Sequence, residues 1–568
     1  MGTRQVERDR FLERVTLYHD QTKHGTQSYA RSLGRLDWAT QPNPFRHYQG
    51  APLLLLSQLV EGRFGRLAYD ELFLNPPAPR TLNRESLSAF FFYSLALSAW
   101  KVSGQSRWAL RVNPSSGNLH PTEAHLIAGP IEGFTDVSMI AHYDPYYHAL
   151  EKRLELCPGE WNQLSGGLPE GSFVVGLTSI YWRESWKYGE RAFRYCQHDI
   201  GHALGCLQIA ASLLGWEVRS IDHLDSSQIE TLLGVQDQDG PEKEHGACLL
   251  AIVPRASLPT SRAPVLQCSE GFFHTLVHRE WAGRPNVLSQ KHYEWPILSF
   301  VSEAIANFDW APGLPLSPPN LAVSVLPSTM RMARPKTVSE VVRGRRSAVA
   351  MDGETSLAAD EFYRLLWRLH PDLNADFFCG LPFECHTAMV LFVHRVAGVP
   401  PGLYLFCRSH DQGAKLKEVL RGEFEWTVPL GCPEELNLVL LKAGDFQECS
   451  RTVSCHQSIA ADGAFAVALL AEFSGALKER GAGIYPRLFW EAGCAGQLIY
   501  LEAEAAGLSA TGIGCYFDDA VHQLLGVEEH SWQCVYHFTL GGRIEDRRVQ
   551  GLDAYSHLTP QVVAESTT

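Results

Sequence analysis

The chain has 568 residues, 45% of them hydrophobic and 20% charged, and 63 acidic against 49 basic side chains give a formal net charge of −14. That length exceeds what one hydrophobic core serves, and the composition is that of a globular protein with two or more domains. The acidic balance argues against a general nucleic-acid binder, which needs clustered Lys and Arg, while a local basic pocket for one phosphate stays open.

Taken in order, residues 1–50 read as a polar N-terminal helical extension, with the Tyr18–His24 cluster on a surface helix. The charged start reads against a signal peptide, and the 14 cysteines form no CxxC pair, so reduced thiols and a cytoplasmic location are expected. From Leu53 to Trp100 the pattern is helical and apolar, broken by an extended loop at Asn75–Pro79. Its most apolar run, near residues 89–97, falls far short of the roughly 20 residues that span a bilayer, so no membrane anchor is expected.

Next comes Arg111-Val112-Asn113-Pro114-Ser115-Ser116-Gly117-Asn118-Leu119-His120-Pro121-Thr122-Glu123, leading into a buried strand at Ala124–Ala128. Prolines fix this backbone, glycine admits close approach, and Ser and Asn offer donors and acceptors without bulk, so the loop can wrap a flat polar ligand. A strand at Phe173–Thr178, a helix over about Gln197 to Leu214 and a strand at Ala247–Val253 follow. Residues 256–335 are rich in Pro and Ser, with Pro312, Pro315, Pro318 and Pro319 close together, and read as a linker containing some helix.

The second half then repeats the first. Gly201, Ala203, Gly215 and Leu232–Val235 match Gly493, Ala495, Gly507 and Leu524–Val527 at one offset, 292 (493 − 201), with no gap. Domains at 51–255 and 336–550, followed by a tail at 551–568, are therefore expected to form an internal pseudo-dimer of α+β class, compatible with a further homodimer.

These stretches resemble the nitroreductase superfamily, and within it the SagB/ThcOx-type dehydrogenases. The resemblance implies two α/β sandwich domains sharing FMN pockets. It assigns Arg111 and the Pro114, Ser115, Ser116, Gly117 and Asn118 loop to the flavin, and Arg345, Arg346 and Ser347 to its phosphate and ribityl chain. The late glycine turn Gly512-Ile513-Gly514 would lie against the ring, and Arg543 would give a C-terminal basic contact. Bidentate Arg suits a phosphate monoester. Where the family often has a further basic residue, this chain has Val349. The parts are divided: the second half lacks the hydroxyl loop, with Gly380–His386 in its place, and the first half lacks the paired glycines, with Gly215–Ile221 there. One composite FMN site and one decayed pseudo-site are the simplest expectation, two flavins per chain the rival.

The segment Trp186–His202 resembles the SagB-type segment whose adjacent Lys-Tyr pair serves azoline oxidation. This implies Lys187 as a base and Tyr188 as a relay, with the substrate hydride passing to the flavin. His198 and His202, four apart on one helical face, offer a metal pair, but without a third ligand they are expected to cap and pack, so no metal is assigned. The implied substrate is a small molecule or peptide, handled with biosynthetic partner enzymes and without nucleic acid or membrane. A nicotinamide-driven nitro or quinone reductase and a flavin-free scaffold are the alternative readings.

Overall fold

Two antiparallel sheets face each other across a pair of long helices in the computed structural model, which describes residues 2–58, 60–259, 263–306, 326–332 and 334–558. The first sheet runs, in spatial order, Leu53–Leu55, Ala149–Leu156, Ser138–Asp144, Thr122–Ala128, Phe173–Ile180, Glu244–Pro254 and Trp216–Ile221. The second runs Leu438–Ala443, Gly402–Phe406, Thr387–Val393, Phe465–Glu472, Trp532–Gly541 and Ser509–Ile513. No helix among the described residues is long and apolar enough to cross a membrane.

Alternation along the strands divides the core. Phe173, Val175 and Leu177 point to the shared interior and Val174 to an outer cluster; Phe465, Val467 and Leu469 point inward while Ala466, Ala468 and Leu470 point out. The inner faces of both sheets and the two long helices thus form one continuous core, and each half has a second core of its own.

The repeat holds in three dimensions. Phe173–Ile180, Tyr181–Tyr188, Ala192–Leu213 and Ser226–Leu233 correspond at the same offset of 292 (484 − 192) to Phe465–Glu472, Phe473–Arg480, Ile484–Ala505 and Asp518–Leu525. The two 22-residue helices, Ala192–Leu213 and Ile484–Ala505, cross where Gly201 meets Gly493. A Cβ on Gly201 would lie 2.3 Å from Trp490 O and one on Gly493 would lie 2.2 Å from His198 O, so only glycine lets the backbones approach this closely.

Several local expectations need correction. The first long helix starts at Ala192 rather than near Gln197, because Arg191, Arg194 and Asp199 break the apolar period yet are all buried in polar contacts. Leu97–Ser103 is a strand, not helix; it pairs with Ser106–Arg111 and with Gln550–Leu552 near the end of the chain. The N-terminal helix Gly2–Gln21 is not simply a surface helix, since Val15, Tyr18 and His19 are fully buried. Tyr18 Oη donates to Glu190 O at 2.7 Å in the first half, and His19 Nε2 bonds Gln533 Oε1 at 3.1 Å in the second, so this helix joins both halves. Between the halves, Glu270–Val277 and Pro296–Ala306 are helical and Arg284–Pro285 pairs with Tyr48–Gln49. Pro312, Pro315, Pro318 and Pro319 lie outside the described residues.

Candidate functional site

The loop after strand Ser106–Arg111 is held by its own side chains. Gly117, Asn118 and His120 all have positive φ, at 60°, 59° and 53°, a tight left-handed course that fits a Gly-Asn turn. Asn118 Nδ2 donates to Ala109 O at 2.9 Å, His120 N donates to Ser115 Oγ at 2.7 Å, and Ser116 donates through N and Oγ to Asp199 Oδ1, both at 3.1 Å. The Asn118 amide and the Ser116 hydroxyl, expected to face a ligand, are here engaged in shaping the loop.

Asp199 belongs to the first long helix, so the loop is pinned to the core of the molecule. Burial pushes its carboxyl up to about 7, against the pull of the Ser115 and Ser116 hydrogen bonds. Glu184, fully buried beside it, is also raised, by burial first and by Asp199 second.

The loop's far end is anchored by a buried ionic cluster. Arg183, on the helix Tyr181–Tyr188, donates to His120 O at 2.6 Å and pairs with Glu123, which also meets His142 Nε2 at 3.1 Å. Burial opposes charge on both partners, but Arg183 and His142 bring Glu123 down to about 2, and Glu123 and Glu151 bring His142 up to about 10. These contacts tie the loop to the helix carrying Lys187 and Tyr188.

On the other side stand pieces of the second half. Ala348 N donates to Ala510 O at 3.1 Å, fastening the arginine turn along the edge strand Ser509–Ile513. Tyr500 Oη accepts from Gly512 N at 3.0 Å and shares a hydrogen bond with Ser347 Oγ at 2.9 Å. A Cβ on Gly512 would lie 2.4 Å from Tyr536 Oη, and one on Gly514 would lie 2.1 Å from Tyr195 Cε1, so both glycines are demanded by aromatic neighbours.

Between the two sides lies a cavity of about 670 Å³. Arg111, Pro114, Ser115, Ser116, Gly117, Asn118, Tyr188, Arg345, Arg346, Ser347, Gly512, Ile513, Gly514 and Arg543 all line it, although 157 residues (345 − 188) separate the last of the first-half residues from the first of the second-half ones. Lys187 does not; its Nζ would lie 3.0 Å from a Cβ on Gly117, behind the loop, and 5.1 Å from the Tyr188 ring centre. Arg343 turns away to donate to Phe92 O and Leu97 O at 3.1 and 2.8 Å.

Charge is uneven within the cavity. Lys101, Arg111, Arg345, Arg346 and Arg543 all line it, and of these only Arg543 has a carboxylate partner among the described residues, Glu545 at 2.9 Å. Burial lowers Arg345, and burial followed by the charges of Arg345 and Arg343 lowers Arg346 to about 10. The Arg345 guanidinium lies 4.9 Å from the Tyr500 ring centre, and its buried Nε has no hydrogen-bond partner. Asp199, Glu545 and Asp546 also line the cavity, but Lys101, Arg111, Arg345 and Arg346 form no ion pair with a described carboxylate, a grouping that favours an anion.

Tyr195, Tyr500 and Tyr536 also line the cavity, and no motif in the sequence marks Tyr500 or Tyr536. Tyr188 and Tyr195 pack at 4.2 Å between ring centres, His198 stacks on Tyr536 at 3.9 Å, and His202 Nε2 bonds Tyr536 Oη at 3.1 Å. His198 Nε2 bonds Val535 O at 2.8 Å, so both histidines are engaged within the protein. Ligand-type atoms gather instead at His47, Asp144 and Glu151, outside the cavity lining.

The pseudo-symmetric place is filled. Ser220, which corresponds to Gly512 at the common offset, donates from N to Gly380 O at 2.8 Å, and Gly380 is so close to Val218 that a Cβ would meet its carbonyl oxygen at 1.7 Å. Arg487, in the place of Tyr195, pairs with Asp222 at 3.0 Å and donates to Pro382 O at 2.9 Å. Glu491, in the place of Asp199, accepts from His386 N at 2.9 Å. The anchoring carboxylate is retained in both halves, and at the second place Gly380 packs on Val218.

Residues 433–542 match the Nitroreductase family model. A "putative nitroreductase" from Anabaena variabilis superposes with a TM-score of 0.65 at 19% identity, covering 94% of this chain and 99% of its own. The fold is thus the nitroreductase fold over both halves. Among the other structures, the Escherichia coli microcin synthetase McbBCD complex with truncated pro-MccB17 bound is 15% identical, covering 43% of this chain and 93% of that one, with a TM-score of 0.26. A nitroreductase-fold structure in complex with FMN from Exiguobacterium sibiricum is 13% identical, covering 36% and 88%, with a TM-score of 0.20. No curated protein matches this chain.

Proposed function

We propose that the chain is an FMN-dependent oxidoreductase with one flavin per chain, bound in the composite cavity. The observation that carries this reading is the joint one: an uncompensated cationic end at Arg345, Arg346 and Lys101, aromatic and glycine walls beside it, and a filled counterpart across the pseudo-twofold. Arg345 and Arg346 would hold the phosphate, whose dianion supplies the charge the site lacks. The family match over residues 433–542 supports the same cofactor.

Bound FMN would supply two-electron, hydride-accepting chemistry. Around it, the chain's own groups orient and exclude: Tyr188 presents a buried phenol at the wall, raised by burial and by Glu184, so that it stays protonated and can donate a hydrogen bond. Lys187, whose Nζ would lie 3.0 Å from a Cβ on Gly117, would serve as the proton acceptor. The favoured reaction is dehydrogenation of a C–N bond, azoline-type, in a small molecule or modified peptide, in the manner of SagB-type enzymes working with biosynthetic partners in the cytoplasm.

Purified protein supplied with FMN should turn yellow and retain one equivalent after gel filtration. Failure to retain any flavin leaves the scaffold reading, and two equivalents would refute the single site. Rapid bleaching of bound flavin by NADPH without other substrate would favour the nitro or quinone reductase. Loss of substrate oxidation in Lys187→Ala with FMN retained would support the dehydrogenase assignment; unchanged turnover would remove Lys187 from it.

A further inference from the structure

Cys515 follows Gly514 directly and lines the cavity, and its Sγ lies 2.9 Å from that of Cys455. Both residues are partly exposed, so the pair is reached from solvent. Cys455 sits just past the helix Gln447–Val453 with φ of 54°, and His456 after it has φ of 58°. Two consecutive non-glycine residues in the left-handed region are held there under strain, and such strain collects at functional positions.

What holds them is visible. Gln457 Nε2 donates to Ser454 O and to Cys515 O, both at 2.9 Å, tying the two sulfur-bearing turns together from the backbone. Ser454 Oγ meets His537 Nδ1 at 3.1 Å on the neighbouring strand. His24, whose backbone N–H is fixed by Asp518 at 2.8 Å, and Arg191, paired with the same carboxylate at 2.9 Å, stand near Cys515, while the exposed Tyr29 stands near Cys455. The first half has no such pair: the position corresponding to Cys515 is His223.

We propose that Cys455 and Cys515 are a redox-active dithiol, which a low-molecular-weight disulfide such as glutathione disulfide converts into an intramolecular disulfide at the cavity wall. His24 and Arg191 stand beside Cys515 and favour its thiolate, so Cys515 is the attacking sulfur. Its thiolate displaces one half of the small disulfide, forming a mixed disulfide and releasing one thiol. Cys455 then loses its proton to solvent and attacks the Cys515 sulfur, expelling the second thiol. Two protein thiols are oxidised and one small disulfide is reduced to two thiols. Closing the sulfur gap from 2.9 Å to the roughly 2.05 Å of a disulfide shifts the turn that carries Cys515, next to the wall that Gly514 forms. The cavity thereby acquires a second, flavin-independent redox input.

The test uses the full chain without added FMN, equilibrated over a series of glutathione disulfide to glutathione ratios, quenched in acid, alkylated and mapped by mass spectrometry. The expected product is a Cys455–Cys515 cross-linked peptide that dithiothreitol removes. In Cys455→Ser the reaction should stop at a glutathione adduct on Cys515; in Cys515→Ser, Cys455 should remain alkylatable. The exposed Cys157 reports that the reagent is active. Full alkylation of both cysteines across a series in which Cys157 is glutathionylated, or no adduct at Cys515 in Cys455→Ser, would overturn the proposal. Neither result depends on the flavin assignment.

Discussion

Asp199 Oδ1 accepts both the backbone N–H and the hydroxyl of Ser116 at 3.1 Å, and through this carboxylate the first long helix holds the loop that walls the cavity. Because burial raises its folded value to about 7 from an ordinary 3.8, the native state keeps a proton that the unfolded chain releases across that window. Its contribution is therefore fully present below 3.8 and is lost as pH rises through 7. Asp199→Asn keeps an oxygen acceptor for Ser116 and has no proton to lose. Urea denaturation on both sides of the window should show wild type losing stability relative to Asp199→Asn as pH rises; a difference that does not change with pH would remove this role.

The cationic end predicts opposed effects in one variant. Replacing Arg345 by Met removes a buried charge without a carboxylate partner, so the flavin-free protein should gain on the order of 1 kcal/mol in stability. The same change should weaken FMN binding by roughly tenfold or more, the consequence of losing a charge-assisted contact. Thermal melts with and without FMN read both; a loss of stability in the flavin-free form would contradict the assignment.

His142 gives a second pH signature with the opposite chemistry. Its folded value of about 10 exceeds the ordinary 6.5, so the stability it contributes is present below 6.5 and lost as pH rises through about 10. His142→Gln should flatten that alkaline decline and, by loosening Glu123 and Arg183, disturb the loop as well. An unaltered alkaline limb would argue against the cluster as its source.

Filling at the pseudo-site should be sensitive and yet irrelevant to flavin. A side chain at Gly380 would collide with Val218 O, so Gly380→Ala is expected to destabilise by about 1–3 kcal/mol while the variant that folds binds FMN with unchanged affinity. A drop in FMN affinity beyond the loss of folded protein would mean that the two places are not independent.

Much of this was legible in the residues. The offset of 292 and the motif loop name the two walls of the cavity, because glycines, prolines and arginines in fixed order betray the backbone shape and charge they serve. Asp199, Tyr195, Tyr500 and Tyr536 were not legible as lining residues, since each acts through a partner remote in the chain: Tyr500 matters because Ser347 and Gly512 reach it. Nor could sequence show that Asn118 bonds back to Ala109 and Ser116 to Asp199, or that Lys187 is absent from the cavity lining. Helix periodicity failed at Arg191 and Arg194 for a related reason, as both are buried against Asp518 of the other half.

Both halves lie on a single polypeptide, and the crossing of Gly201 with Gly493 joins them in a single core. In an assembly of two identical chains, any inherited change appears twice, once at each pocket, so neither pocket can be closed while the other is spared. Here the codon for Gly380 and the codon for Asn118 are separate letters of one gene, and one place can be plugged while its twin is refined. Joining the halves has given this molecule a genetic handedness that its doubled architecture alone would not possess.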